Sequence, residues 1–241
     1  MLQVKNLCTG AILLALAACQ PVDTDTSRPE TSRAFPSPDR PVSKVIGNSF
    51  STEEARDDRD EANKVMDMAG IEAGTTVADI GAGGGYYTVR LAERVGESGR
   101  VLAQDIDADA LKKLGTRVER ERLDNVSIKP GEIDDPKLPQ NSFDRIFMVH
   151  MYHEVTEPYA FIWRMRPALK KGGQVIVVDV DRPTTKHGIP PKLLFCEFAA
   201  VGYKLVEFEE KPDIAGYFAR FEAEGERPEP SEIKSCSNQK S

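Results

Sequence analysis

The sequence lacks an excess of basic residues. Its 241 residues include 32 Lys or Arg and 39 Asp or Glu, for a formal net charge of −7, and basic residues are scattered among acidic ones, as in segment 117–122. Proteins that bind DNA or RNA present a basic surface to the phosphates. The charge balance therefore disfavours a nucleic-acid partner and leaves small molecules or proteins as ligands.

The N-terminal part also lacks an apolar run long enough to cross a membrane. The run 11–18 is short, whereas a membrane-spanning helix needs about 20 apolar residues. Lys5 precedes it, and the small residues Ala17 and Ala18 stand directly before Cys19, which is typical of a cleavage site.

This N-terminal segment resembles a bacterial lipoprotein signal. The resemblance implies cleavage before Cys19, a lipid on that cysteine, and membrane anchorage facing the periplasm. With Gln20 next, it implies the outer membrane. Two alternatives stay open: an ordinary secretory signal, or a misassigned start upstream of a cytoplasmic enzyme.

Composition divides the chain into four segments. Residues 1–18 are the signal, and the Pro-rich and polar stretch 19–50 is predicted to be a disordered tether. Residues 51–224 form the predicted domain, and 225–241 a flexible tail.

Cysteines are few and have no spacing pattern. Cys8 leaves with the signal, which leaves Cys196 in an apolar run and Cys236 in a polar tail. A disulfide between them is compatible with an oxidising compartment, but the missing pattern favours a buried Cys196 and a loose tail.

The glycine-rich segment after residue 78 lacks the dinucleotide-binding pattern Gly-x-Gly-x-x-Gly. That pattern requires a third glycine at Tyr86 or Thr88. The segment instead has an acid followed by alternating glycines: Asp79, Gly81, Gly83 and Gly85. Glycines here remove the Cβ atoms that would keep the backbone from closing over a ligand.

This loop resembles that of the class I S-adenosylmethionine-dependent methyltransferases. The resemblance implies S-adenosylmethionine as cofactor, with the Asp79 carboxylate facing the methionine amino group and the glycines lying against the methionine moiety.

Along the domain, the spacing of hydrophobic residues alternates between the patterns typical of strands and of helices. They predict a first helix over 52–69, then alternating strands and helices over 76–201, and closing strands at 204–210 and 217–221. Repeated βα units predict a doubly wound α/β fold with a mainly parallel seven-stranded sheet. The closing strands form a C-terminal antiparallel hairpin, as in the methyltransferases that the loop resembles.

Ligands of such sheets bind beyond the carboxyl ends of the strands. By resemblance, Asp105 binds the ribose hydroxyls and Glu132 the adenine amino group. Ile106 and Ile133, the residues that follow these acids, complete the predicted cofactor set. Asp107 is the competing ribose ligand, but it is better placed as the N-cap of the next helix.

Polar residues follow the predicted strand 143–149, where the resemblance implies that the methyl group is delivered. Segments 142–154, 166–173 and 179–183 resemble a group of predicted bacterial small-molecule methyltransferases, which implies a small-molecule acceptor. His153 is the predicted catalytic base, because the pKa of a histidine lies near neutrality. Further pocket candidates are Tyr87, His150, Glu154, Asp181 and His187.

The order of His150, His153 and Glu154 matches neither His-Glu-x-x-His nor His-x-x-Glu-His, and no Cys cluster accompanies them. The sequence therefore predicts no metal site, and metal-dependent hydrolysis is a minor alternative. A second alternative is a membrane-tethered, non-catalytic binding module that retains the methyltransferase fold.

Overall fold

Seven strands form one sheet in the computed structural model, which describes residues 25–43 and 51–237. Their order across the sheet is β3-β2-β1-β4-β5-β7-β6; the first five strands in chain order pair in parallel, and β7 pairs antiparallel with β5 and β6. The strands are β1 (Thr76–Ile80), β2 (Arg100–Asp105), β3 (Val126–Pro130), β4 (Phe143–Val149), β5 (Leu169–Asp179), β6 (Tyr203–Lys211) and β7 (Gly216–Ala223). This confirms the predicted fold class.

Helices cover both faces of the sheet. They are α1 (Glu53–Asp57), α2 (Glu61–Met68), α3 (Tyr86–Val95), α4 (Ala108–Glu121), α5 (Pro158–Met165) and α6 (Pro191–Ala200). Among the described residues, none of these helices combines the length and the apolar character needed to cross a membrane.

The first helix of the domain is broken, although the sequence predicts one helix over 52–69. The break falls at Asp60, whose φ of 52° puts it in the left-handed region. Aspartate tolerates this conformation better than most residues, because its short side chain bonds locally. The break lets α2 place Glu61 and Val65 in the interior.

The core lies on both sides of the central strands. Ile146, Phe147 and Met148 of β4 are all inaccessible to solvent, and Phe147 packs in a different cluster from its two neighbours. Successive side chains of a strand point to opposite faces, so both faces of β4 are covered. This rigid centre fixes the positions of the loops at the strand ends.

Residues 25–43, here called the strap, lie against the domain. Arg28 forms an ion pair of 2.6 Å with Glu157, and Arg40 one of 2.7 Å with Glu197, and all four side chains are buried. The strap differs in this from the disordered tether that the sequence predicts over 19–50.

Phe35 gives the reason for this difference. It is 4% exposed and packs edge to face with Trp163 at 5.4 Å. The composition of a segment does not indicate whether a few of its residues contact others more than 100 positions away in the chain. The predicted signal 1–18, Cys19, and tether residues 19–24 and 44–50 lie outside the described residues.

The C-terminal segment is joined to the domain by a disulfide between Cys196 and Cys236. The sequence interpretation that favoured a buried Cys196 and a loose tail is wrong: Cys196 is exposed, whereas Cys236 and Ile233 are buried. The backbone N–H of Cys236 also donates to the hydroxyl of Tyr159 at 2.6 Å. The tail is therefore docked by a disulfide, buried side chains and hydrogen bonds, among them the bond from Nε1 of Trp163 to the carbonyl of Pro228.

Candidate functional site

A cleft of about 440 Å³ opens at the carboxyl ends of the strands. The cleft lies at the end of β1, which pairs with β2 on one side and with β4 on the other. The order of the strands along the chain reverses its direction across the sheet at this point. Such a switch point is the usual ligand site of doubly wound sheets. The volume falls in the range of small-molecule and cofactor sites, about 300–1,000 Å³.

The loop after β1 adopts a backbone that requires glycine. Gly81, Gly83 and Gly85 have φ values of 69°, 53° and 87°. A Cβ on Gly85 would lie 2.4 Å from Leu114, and one on Gly81 would lie 2.9 Å from Met151. The alternating glycines thus allow the loop to turn into α3 and to form one wall of the cleft.

Asp79 ends this wall as a buried acid. Its side chain is 3% exposed and accepts a hydrogen bond of 2.6 Å from the hydroxyl of Thr88. Burial raises the pKa of Asp79 to about 6; the Thr88 bond and the charge of Arg56 oppose this rise, and the charge of Asp105 adds to it. A positively charged ligand group beside Asp79 would favour its ionised form.

Asp105 lies across the cleft at the end of β2. One carboxylate oxygen accepts the N–H of Gly83 at 2.8 Å, and the other accepts that of Asp107 at 2.9 Å. Asp107 is the N-cap of α4, as predicted, because its side chain accepts the N–H groups of Asp109 and Ala110. Asp105 therefore holds the glycine loop and also faces the cleft.

The outer rim of the cleft combines apolar and charged side chains. Ile106 is 47% exposed and Ile133 is 43% exposed, and both line the cleft. Large apolar side chains that line a cleft offer a surface that an apolar ligand group can cover. Glu132, next to them, forms an ion pair with Lys137.

His153 is fixed by an acid that the sequence analysis left without a role. Its Nδ1 lies 2.9 Å and 3.0 Å from the two carboxylate oxygens of Asp179. An ionised carboxylate only accepts hydrogen bonds, so Nδ1 carries a proton; in the neutral form of the ring, Nε2 then presents a lone pair. Asp179 ends β5, and its position at a strand end was the available signal.

His150 lies in a different charged group. Its Nε2 is 3.4 Å from Glu61, which also forms an ion pair of 2.6 Å with Arg56 and accepts the hydroxyl of Tyr87 at 3.2 Å. Burial alone would raise the pKa of Glu61, but the hydrogen bonds of His150 and Arg56 lower it to about 2. Arg56 and Glu61 come from α1 and α2, and no sequence signal linked them to the cleft.

The remaining candidates divide between the cleft and its surroundings. Glu154 lines the cleft beside His153, and Tyr87 lies in its wall with its hydroxyl bonded to Glu61. Neither Asp181 nor His187 is among the described residues that line the cleft. Asp181 is exposed, whereas Nδ1 of His187 lies 3.9 Å from Glu154.

The chain is similar to known proteins over this region. The family model described as "Methyltransferase domain" matches residues 71–206. The ubiquinone/menaquinone biosynthesis C-methyltransferase UbiE of Hahella chejuensis is 30% identical over 125 residues, which is 49% of this chain and 48% of the relative. UbiE of Salmonella arizonae is 31% identical over 124 residues, 49% of this chain and 47% of the relative. The chain thus spans about half the length of these curated relatives.

Solved structures share the fold at low identity. A SAM-dependent methyltransferase from Aquifex aeolicus superposes with a TM-score of 0.61 at 23% identity, covering 71% of this chain and 97% of that one. The [4+2]-cyclase SpnF also reaches 0.61, at 15% identity over 77% of this chain and 87% of that one. At these identities the likeness concerns the fold alone.

Proposed function

Because the chain belongs to the methyltransferase domain family, whose model matches residues 71–206, we propose that it transfers the methyl group of its cofactor, S-adenosylmethionine, to a small molecule. The proposal rests above all on one arrangement: Asp79 and Asp105 lie at the carboxyl ends of neighbouring strands and line the same cleft as the positive-φ glycine loop that follows β1.

The chemistry of the cleft fits this cofactor group by group. The buried Asp79, with a pKa of about 6, suits an ammonium group, which stabilises the carboxylate form. Asp105 suits a pair of hydroxyl donors, since its oxygens retain acceptor capacity beyond the backbone bonds that they make. The exposed faces of Ile106 and Ile133 suit an adenine ring.

The donor already carries an activated methyl group on a sulfonium, so the protein contributes alignment and, for a weakly nucleophilic acceptor, proton removal. Nε2 of His153 is the proposed proton acceptor. Asp179 holds the ring in the required tautomer and stabilises the imidazolium that forms.

The compartment is a separate part of the proposal. We propose that the chain is exported and attached to a membrane through a lipid on Cys19. The disulfide between Cys196 and Cys236 supports export, because structural disulfides persist in oxidising compartments and are rare in the cytosol. Mass spectrometry of the native protein, with and without a reductant, tests both modifications.

Calorimetric titration with S-adenosylmethionine tests the cofactor site. Asp105→Asn removes a carboxylate from the cleft and should weaken binding about 10–100-fold, the equivalent of one hydrogen bond to a charged group. Asp107→Asn is the matched control: it removes the neighbouring charge but keeps a good N-cap, and should stay within about threefold of the wild type.

Absence of binding by the wild type would defeat the proposal. Turnover of a labelled donor with a panel of small acceptors then separates methyl transfer from a non-catalytic binding module. Binding without transfer to any acceptor of the panel favours the module.

A further inference from the structure

Three metal-ligating side chains converge beside the cleft from two loops that are distant in sequence. His153 and Glu154 follow β4, and His187 follows β5. One donor atom from each lies within 4.8 Å of the other two. Glu154 Oε1 is 4.0 Å from Nε2 of His153 and 3.9 Å from Nδ1 of His187. Only the first two of these residues are neighbours in the sequence, which is why no linear metal motif appears.

His153 has the orientation of a metal-bound imidazole. Its Nδ1–H is held by Asp179, which is inaccessible to solvent and also accepts the N–H of Val180 at 2.8 Å. Metal-binding histidines nearly always donate their second nitrogen to a carboxylate, carbonyl or water. The remaining nitrogen, Nε2, lies 4.0 Å from Oε1 of Glu154, with room for an ion between the two atoms.

His187 supplies a second imidazole nitrogen that needs a partner. Its Nδ1 is buried and has no hydrogen-bond partner among the described residues. Leaving such an atom unsatisfied costs about 1–3 kcal/mol. The loop is held in place by the strap, since the N–H of His187 donates to Ser43 at 3.1 Å and Ser43 donates to the carbonyl of Thr184.

We propose that Nε2 of His153, a carboxylate oxygen of Glu154 and Nδ1 of His187 bind one divalent transition-metal ion of the Zn²⁺ type. Two imidazoles and a carboxylate are a common ligand set for such ions, and three protein ligands leave a position for water or substrate. Bonds of about 2.0–2.1 Å put tetrahedral ligands about 3.3 Å apart. The two gaps to Glu154 therefore need to close by about 0.6–0.7 Å, and the gap between the two imidazoles, which is at most 4.8 Å, by up to about 1.5 Å.

The location of this site deepens the proposed function and, for its catalytic role, rests on it. His153 and Glu154 line the cofactor cleft, so the open coordination position is accessible to an acceptor there. An acceptor hydroxyl bound to the metal loses its proton to solvent, because the metal lowers its pKa. The oxygen then forms a bond to the methyl carbon as the carbon–sulfur bond breaks, and the thioether leaves uncharged. In the metal-bound protein His153 is a ligand and no longer the base.

Metal titration of the full chain tests the site without donor or acceptor. After dialysis against a chelator, Zn²⁺ is titrated by calorimetry, and Co²⁺ by its visible absorption. We expect one ion per chain for both, and much weaker binding of Mg²⁺, which prefers oxygen ligands. Failure of the wild type to bind Zn²⁺ or Co²⁺ overturns the inference.

Variants identify the ligands. His187→Asn removes a metal ligand and should weaken Zn²⁺ binding by at least about 100-fold. Asp179→Asn removes only the hydrogen-bond partner of a ligand and should weaken binding less, by about 10–100-fold. Asparagine tolerates the positive φ of 51° at this position, so the loop can keep its shape. The control is Asp181→Asn, an exposed acid between β5 and His187, which should leave binding unchanged.

Unchanged Zn²⁺ binding in His187→Asn overturns the site, provided that circular dichroism shows a folded protein. The thiols of Cys196 and Cys236 do not compete for the ion, because they are joined in the disulfide. A protein that binds Zn²⁺ through these residues but not S-adenosylmethionine supports the metal site and overturns the proposed methyl transfer.

Discussion

Asp179 and His153 form a buried pair, with the carboxylate oxygens 2.9 Å and 3.0 Å from Nδ1 of the imidazole. The pair connects the end of β5 to the turn after β4, so the position of the imidazole depends on the register of two adjacent strands. Because His153 lines the same cleft as Asp79 and Asp105, the residues proposed to bind the cofactor and the proposed proton acceptor share one rigid sheet edge.

Binding of S-adenosylmethionine should weaken in mild acid. The pKa of Asp79 is about 6, and in the proposed site its ionised carboxylate pairs with the ammonium of the ligand. At pH 5 about a tenth of a group with this pKa is ionised, so we expect about tenfold weaker binding than at pH 8. Calorimetry across this range measures it. In Asp79→Asn the affinity should be lower and nearly independent of pH.

The same acid should lower the stability of the ligand-free protein at neutral pH. The pKa of Asp79 is raised from 3.8 to about 6 in the fold, so folding favours its protonated form. This stabilisation is present below pH 3.8 and is lost as the pH rises through 6, by about 3 kcal/mol at about 1.4 kcal/mol per pKa unit.

Asp79→Asn should therefore be more stable than the wild type at pH 8, by up to about 3 kcal/mol, and close to it at pH 3. Urea unfolding at the two pH values measures the difference. Asp109→Asn, an exposed acid on α4, is the control and should change stability by less than about 1 kcal/mol. An equal effect of Asp79→Asn at both pH values would contradict the expected linkage.

Gly85→Ala should destabilise the domain more than an alanine at another positive-φ glycine. At Gly225, φ is 61° and an added Cβ meets nothing within 4 Å, so Gly225→Ala measures backbone strain alone, about 1–2 kcal/mol. At Gly85 the Cβ also meets Leu114 at 2.4 Å, and overpacking adds about 1–3 kcal/mol. Equal losses for the two variants in urea unfolding would show that Leu114 moves aside freely.

Arg40→Met should destabilise the protein by about 3–5 kcal/mol, because it leaves Glu197 buried without a counter-ion. Arg94→Met is the matched control: Arg94 pairs with Asp67 at 2.6 Å in a more exposed position, where such pairs contribute less than about 1 kcal/mol. Thermal unfolding compares the two, and limited proteolysis of residues 25–43 shows whether the strap detaches. Similar losses for both would argue against a structural role of the strap.

Local patterns predicted the parts of the molecule in which the chain folds onto its near neighbours. The alternation of strands and helices over 76–201, and the N-cap role of Asp107, followed from strand and helix periods and from turn chemistry within a few residues. The glycine loop was recognisable for the same reason, since its conformation is set by its own backbone.

Contacts between distant segments were not predictable in this way. Glu61 approaches His150, and His187 approaches Glu154, only after the sheet has formed. The docking of Arg28 and Arg40 likewise depends on carboxylates that their own sequence surroundings do not indicate. A charged residue has the same appearance in a sequence whether its partner is water or a buried acid.

The strap extends the functional unit beyond the segment that family similarity outlines. A chain cut to residues 71–206 would lose both arginines and leave Glu157 and Glu197 without these counter-ions. It would also lose Ser43, which holds the loop of His187, and the two carbonyl contacts of Arg40 with His153 and Val155. An expressed version of this protein should therefore begin upstream of Asp25, since a shorter version would lack the contacts that the strap makes with His153 and with the loop of His187.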